Sequence, residues 1–332
     1  VFGRNTVLMM TMIRKLVALS CLAASAALAG GLETEFRDPP DAARPGVYWY
    51  FMDGNQDRDE MVADLHAMED VGIGSILFLE VNINIPRGPI PFMSEPWQDN
   101  VAHAFVEAGK LGMEVILGTG PGWSGSGGSW VTAEDSMKHL VGSGVQVSGP
   151  GKFDQVLPVP PPHAPNPFAG MSPAHKAAQG AWFRDVAVIA FPTPKGKTAM
   201  IDELNIKTLK EVAPYSIRRT QQLFVMPRAE YAEPDPSQVI DPDQMVDLTL
   251  EMEPDGRVGW DIPAGDWTIM RFVARSTGQT TRPAPRTGHG FETNKFDGES
   301  YRRHWNQFQA KLLKKIVAEG GPLQPGKGLT TI

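Results

Sequence analysis

Val47-Tyr48-Trp49-Tyr50-Phe51-Met52-Asp53-Gly54-Asn55-Gln56-Asp57 is a run of strand-favouring residues that ends in a polar, glycine-containing turn, and it decides how the rest is read. Downstream the hydrophobic period changes. Residues 60–70 have helical spacing, 75–80 form an apolar strand ending on Glu80, 101–110 are a second helix and 114–117 a third strand. Gly72 and Gly112 each stand just past a helix and just before a strand, where a left-handed C-cap residue is wanted. A β-α-β-α-β order is met most simply by parallel strands with crossover helices.

In a parallel barrel the C-terminal strand ends form the ligand face, so Asp53, Asn55 and Glu80 are expected there. Asp53 and Asn55 are candidates for binding hydroxyls or a metal, with a turn role the equal alternative for Asp53. The same residues imitate the start of an EF-hand, but Arg58 occupies its glycine position and the motif fails. Asp57 and Glu60 read as a capping box for the following helix. Glu292, after Gly288-His289-Gly290-Phe291, is expected to reach the same face from a strand at 268–274. For both glutamates a solvated loop charge is the plain alternative.

The third strand runs into Gly120-Pro121-Gly122-Trp123-Ser124-Gly125-Ser126-Gly127-Gly128-Ser129-Trp130. Glycine allows sharp turns and close backbone approach, and two indoles there must pack inward or offer flat faces to a ligand such as a sugar. Trp123 and Trp130 are therefore expected to border the ligand face. Gly120, Gly122 and Gly125 also satisfy G-x-G-x-x-G, but Gly127-Gly128 interrupts any helix and no carboxylate stands near Leu140. Gly321 and Gly326-Lys327 have P-loop spacing, yet Gly328 replaces the hydroxyl residue and a helix precedes the motif. No H-x-x-x-H pair argues for zinc, and no G-x-S-x-G elbow argues for a serine triad.

Residues 131–142 read as a further helix. The proline-dense Val156-Leu157-Pro158-Val159-Pro160-Pro161-Pro162 reads as a surface loop or linker. Residues 185–191 are a buried strand and 246–252 alternate. Asp255-Gly256 turns the chain into a strand at 257–262, a hairpin inserted into the barrel-like part. A strand at 268–274, a helix at 298–319 and a strand beginning at Leu329 complete the order. The chain stops where a β/α unit would start its next strand, and it reads as a fragment.

A net charge of −7 without a basic cluster in the mature region argues against nucleic acid and anionic membrane as partners and suits a neutral ligand. The 42% apolar content over 332 residues supports an ample core. Met12-Ile13-Arg14-Lys15, the apolar run 16–28 and Ala27-Leu28-Ala29 form a signal-peptide pattern with cleavage before Gly30, implying a periplasmic or secreted protein. That run is shorter than the roughly 20 residues a span needs, so no stable membrane insertion is expected. Cys21, the single cysteine, lies in the leader, which leaves the mature chain without a disulfide.

Phe36-Arg37-Asp38-Pro39-Pro40, the residues from Tyr48 to Asn55, Gly120-Pro121-Gly122-Trp123 and Gly127-Gly128-Ser129-Trp130 together resemble glycoside hydrolase family 106, the α-L-rhamnosidases. Trp182-Phe183-Arg184-Asp185-Val186-Ala187-Val188 and Ile262-Pro263-Ala264-Gly265-Asp266-Trp267 extend the resemblance from about Glu35 to the chain end. Ser129 departs from the pattern, standing where proline is expected. The resemblance implies an exported enzyme that removes terminal α-L-rhamnose from plant polysaccharides or glycosides. It implies a (β/α)8 barrel with attached β-sandwich elements, a calcium ion near the sugar and an inverting mechanism. Inversion needs two carboxylates about 6.5 to 9.5 Å apart. The resemblance places that pair beyond Ile332, so this fragment alone is expected to be inactive.

The expected fold class is thus α/β, a partial (β/α)8 TIM-type barrel with inserted antiparallel β elements. Its parts are 1–29 (upstream residues and signal peptide), 30–142 (first β/α units), 143–266 (proline-rich linker and β-rich insertion) and 267–332 (a further, truncated barrel unit). Asp53, Asn55, Glu80, Trp123 and Trp130 are the substrate-binding candidates. Two other classes stay open. One is a barrel glycosidase of other specificity with Glu80 and Glu292 as acid and base; the other is a non-catalytic sugar-binding protein using Trp123 and Trp130.

Overall fold

A computed structural model describes residues 33–40, 43–123, 125–162, 170–195, 239–321 and 328–331. The signal-peptide region, Cys21 and Gly326-Lys327 lie outside them. The chain divides into two units, Val1–Met137 with Pro165–Ala178 and Gly278–Ile332, and Lys138–Ala164 with Gln179–Thr277.

The first unit is built on four parallel strands. Strands β1 (Gly46–Met52), β2 (Ser75–Val81) and β3 (Glu114–Leu117) pair in sequence, and β10 (Gly328–Thr331) adds beside β3. Helix α1 (Arg58–Asp70) begins at the expected N-cap, where the Asp57 carboxylate accepts from the amides of Asp59 and Glu60 at 3.0 and 3.2 Å. Helix α2 (Glu95–Lys110) starts six residues before the expected 101, because Ser94 caps it and Pro96 sits in the first turn, where no amide donor is needed. Gly72 and Gly112 take left-handed φ values of 84° and 75°. Trp49, Phe51, Phe78, Trp97, Phe105 and Phe308 form the aromatic centre of the core under this sheet.

The expected helix at 298–319 is two helices, α4 (Gly298–Gln307) and α5 (Gln309–Ala318). The break falls at Phe308, whose backbone leaves helical geometry while its ring is buried against Phe92, Trp97 and Trp130. The expected barrel is not seen as such. Among the described residues the parallel sheet is open and does not close. A second pairing in this unit joins β4 (Gly127–Gly128) antiparallel to β9 (Phe291–Glu292).

The second unit is an antiparallel sheet in the order β5 (Lys138–Val156), β8 (Arg257–Ser276), β6 (Phe183–Pro192), β7 (Val246–Asp247). Its long strands are β5, β6 and β8, with β7 at the edge beyond β6. Helix α3 (Pro173–Ala181) precedes β6. Three sequence expectations are corrected here. The helix expected at 131–142 is a turn followed by β5, because Val141, Val145 and Val147 recur with period two, which is strand spacing. The strand at 268–274, assigned to the barrel, is the second part of β8, paired to β5 and β6 in one sheet. The Asp255-Gly256 hairpin reduces to a single bridge between Met252 and Val258, since β8 finds its extended partner in β5 instead.

Phe153, Leu157, Val188, Val258, Ile262 and Ile269 fill this unit's core. Beside them Arg271 is buried and bonds both Asp185 oxygens at 2.7 and 2.9 Å, with its third nitrogen donating to the Leu157 carbonyl at 2.7 Å. Removing the carboxylate strands a buried guanidinium. Asp185→Ala is expected to lower stability by about 3 kcal/mol, read as a lower urea midpoint with an unchanged slope.

Candidate functional site

The side-chain alternation of β2 separates two groups that the sequence had joined. Ile76 and Phe78 point into the core with the helices, and Glu80 shares their parity. Its carboxylate is buried: Oε1 accepts from the Gly54 amide at 2.7 Å, and Oε2 accepts from Gln56 Nε2 at 3.0 Å and Trp97 Nε1 at 3.2 Å. Asp53 is equally enclosed, one oxygen accepting from Asn82 Nδ2 at 2.7 Å and the other from the Arg286 amide at 3.0 Å. Asn55 is exposed, but its amide donates to the carbonyls of Met52 and Pro86 at 2.7 and 2.9 Å. All three polar candidates hold the loop after β1 in place.

Leu77 and Leu79, of opposite parity, line a cleft of about 380 Å³ with Tyr48, Thr119, Trp123 and Lys295. Trp123 is 63% exposed and Tyr48 65%, and Tyr48 stacks on Tyr50 at 5.3 Å. Trp130 does not share this cleft. Its indole N–H donates to His304 Nδ1 at 3.0 Å, and its ring stacks on His304 and Phe308. An indole nitrogen only donates, so Nδ1 is the acceptor and the His304 Nε2–H donates to the Thr119 carbonyl at 2.7 Å. Burial holds His304 below the usual histidine range, in keeping with this neutral tautomer. Trp130 is half-buried and lines a separate cavity of about 340 Å³ with Val131, Asp135, Ser300 and Arg303.

That loop is glycine-rich because another backbone lies against it. A Cβ on Gly127 would stand 2.1 Å from the Phe291 carbonyl oxygen, and Gly127 pairs directly with Glu292. Ser126 then meets Glu292: its amide and hydroxyl donate to Glu292 Oε2 at 3.2 and 2.7 Å, and Lys295 Nζ approaches the same oxygen at 3.4 Å. Glu292 Oε1 is buried without a partner. Glu292 also lines a cavity of about 270 Å³ with Met137, Gln279, Thr280, Arg282 and Lys295. Glu80 is not among the residues that line either this cavity or the Trp123 cleft.

Among the described residues no group of three or more His, Cys, Asp or Glu side chains is placed to hold a metal. Calcium wants six to eight oxygens. Asp53 and Glu80 already have donors on both oxygens, and Glu292 sits beside two cationic side chains, so these residues do not fit a calcium ion and no step is built on one. Ser126, Lys295, Arg282 and Tyr48 were missed by sequence reading. Only the exposed parity of Tyr48 within β1 was legible there in principle.

Two outcomes follow. Gly127→Ala is expected to cost about 2 kcal/mol in urea unfolding, because its methyl group meets backbone that cannot yield cheaply. For Glu80, burial pushes the carboxyl up to about 7, with Asp53 adding to the rise and the bonds from Gly54, Trp97 and Gln56 opposing it. The unfolded chain ionises near 4.5. Between these values the folded state holds the extra proton, so this contribution is full below pH 4.5 and is lost as pH rises to 7. Protonated Glu80 has an acceptor available if the Gln56 amide flips, since Gln56 Oε1 is buried and unpartnered. Stability measured from pH 4.5 to 7 should fall in the parent protein relative to Glu80→Gln; parallel curves would refute the assignment.

Residues 37–326 match the family model for the alpha-L-rhamnosidases of glycoside hydrolase family 106. A protein of Formosa agariphila, whose name gives it as a candidate beta-glucuronidase, is 30% identical over 286 residues, covering 86% of this chain and 22% of its own. A rhamnosidase of known structure from Novosphingobium sp. PP1Y shares the fold with a TM-score of 0.65 at 22% identity, covering 90% of this chain and 39% of that one. The chain therefore spans well under half the length of either relative. Among its described residues no helix is long and apolar enough to cross a membrane. With the family model matched over most of its length, the chain belongs to glycoside hydrolase family 106, the α-L-rhamnosidase family.

Proposed function

We propose that this chain is part of an exported α-L-rhamnosidase that releases terminal rhamnose from a plant polysaccharide or glycoside with inversion, and that the Trp123 cleft receives the sugar. The observation that carries the reading is an exposed indole and an exposed phenol bordering one cleft, with Ser126 and Lys295 in its lining, in a member of this family. A pyranose has C–H-rich faces that pack on aromatic rings and a rim of hydroxyls that exchange hydrogen bonds. Rhamnose adds a methyl group where other hexoses carry a hydroxymethyl. Leu77 and Leu79 give that methyl an apolar wall in the same cleft.

Inversion needs an acid on the leaving oxygen and a base on water, separated by about 6.5 to 9.5 Å. Asp53 and Glu80 are committed to the β1 loop, so we place the acid–base pair outside the described residues. Closure of the sheet into a barrel, calcium binding and export belong to the same proposal and rest on the family resemblance. A uronosidase is the second reading, favoured by the name of the Formosa relative.

The test is turnover of an aryl α-L-rhamnoside beside an aryl β-D-glucuronide by the intact protein. Trp123→Ala is expected to raise KM for the rhamnoside about tenfold while kcat changes by less than about threefold, as loss of one stacking face dictates. Turnover of the glucuronide alone would overturn the substrate. An unchanged KM would remove Trp123 from the site.

A further inference from the structure

We infer that Glu292, with Lys295 and Arg282, forms a hydroxyl-recognition subsite that takes two adjacent hydroxyls of a neutral sugar; this deepens, and rests on, the glycan-binding reading above. Glu292 is only 7% exposed, and its two oxygens are treated unequally. Oε2 takes the Ser126 amide, the Ser126 hydroxyl and Lys295, while Oε1 has no donor. A buried acceptor without a partner is costly, more so on a charged group. The β4–β9 pairing nonetheless pins this carboxylate in the wall of the 270 Å³ cavity. The terminal torsion of a glutamate is broad, so the carboxylate can reorient when a ligand enters.

The lining selects the ligand. Lys295 and Arg282 beside the carboxylate disfavour a divalent cation, and the unpaired carboxylate oxygen disfavours a uronate or phosphate. A hydroxyl pair suits both: one hydroxyl donates to Glu292 while its neighbour accepts from Lys295 or Arg282. The position connects this subsite to the aromatic cleft. Ser126 lines the Trp123 cleft and bonds Glu292, and Lys295 lines both cavities. A glycan lying on Trp123 thereby has hydroxyl recognition within reach at its side.

The experiment is calorimetric titration of the intact protein with L-rhamnose, D-galactose, D-xylose and D-glucuronate, then with monodeoxy analogues of whichever neutral sugar binds. Glu292→Gln keeps an acceptor for Ser126 but puts an amide N–H where an acceptor is needed. It should weaken binding at least about tenfold. The parent should lose a similar factor with one particular monodeoxy analogue, and Glu292→Gln should not lose it again. Equal losses for every analogue in the variant, or unchanged affinity, would overturn the subsite, as would a preference for D-glucuronate or no binding of any neutral sugar. Lys295→Met, read against the same analogues, decides the matter if Glu292→Gln fails to fold by circular dichroism. Rhamnoside turnover with no Glu292 effect on binding sinks the subsite and leaves the enzyme reading standing. The coupling seen with galactose or xylose, without rhamnoside turnover, does the reverse.

Discussion

The close backbone contact between Gly127-Gly128 and Phe291-Glu292 is the constraint on which the rest of the site depends. Two short segments far apart in sequence exchange strand pairing at a distance that excludes a Cβ on Gly127. Once they meet, Ser126 is presented to Glu292, the Trp123 amide donates to the Arg282 carbonyl, and Trp130 turns inward to His304. The glycines are there for packing. Their role in recognition is indirect, through the side chains that this packing displays.

Asp53 and Glu80 show how buried carboxylates can be structural. Each sits at the end of a parallel strand, where fold-level reasoning looks for chemistry. Each instead has a donor on both oxygens: Asn82 and the Arg286 amide on Asp53, and Gly54, Gln56 and Trp97 on Glu80. Those bonds tie the loop after β1 to β2, α2 and the segment near Arg286. A carboxylate spent this way cannot rotate to a substrate without leaving buried donors unpaired, which costs more than a single hydrogen bond returns.

Much of the first unit was legible because its strands and helices differ in period. Residues 114–117 and the Asp57 cap fall where spacing and capping chemistry put them. The site was less legible, because it turns on parity and on pairing across long sequence distances. Glu80 and Leu79 differ by one position, and that position decides between helix side and cleft side. The strand at 268–274 went to the wrong unit because a local apolar run does not reveal that it continues unbroken from Arg257. The helix expected at 131–142 failed for a related reason: alternation with small residues between the valines is weak until a partner strand is known. Trp123 and Trp130 look alike in sequence, yet only Trp130 has His304 beside it.

Among the described buried carboxylates of this unit, the contrast between satisfied and unsatisfied oxygens sets Glu292 apart. His304 has a partner on each nitrogen and both oxygens of Asp53 and Glu80 are occupied, so these groups stabilise one arrangement. Among the described residues Glu292 is the one buried carboxylate that keeps an oxygen without a donor, and it does so in a cavity wall next to a cleft bordered by exposed aromatic rings. Burial without satisfaction is tolerated where something else completes the bonding. In a family that handles glycans, sugar hydroxyls are the chemistry that matches both the acceptor left over and the donors beside it.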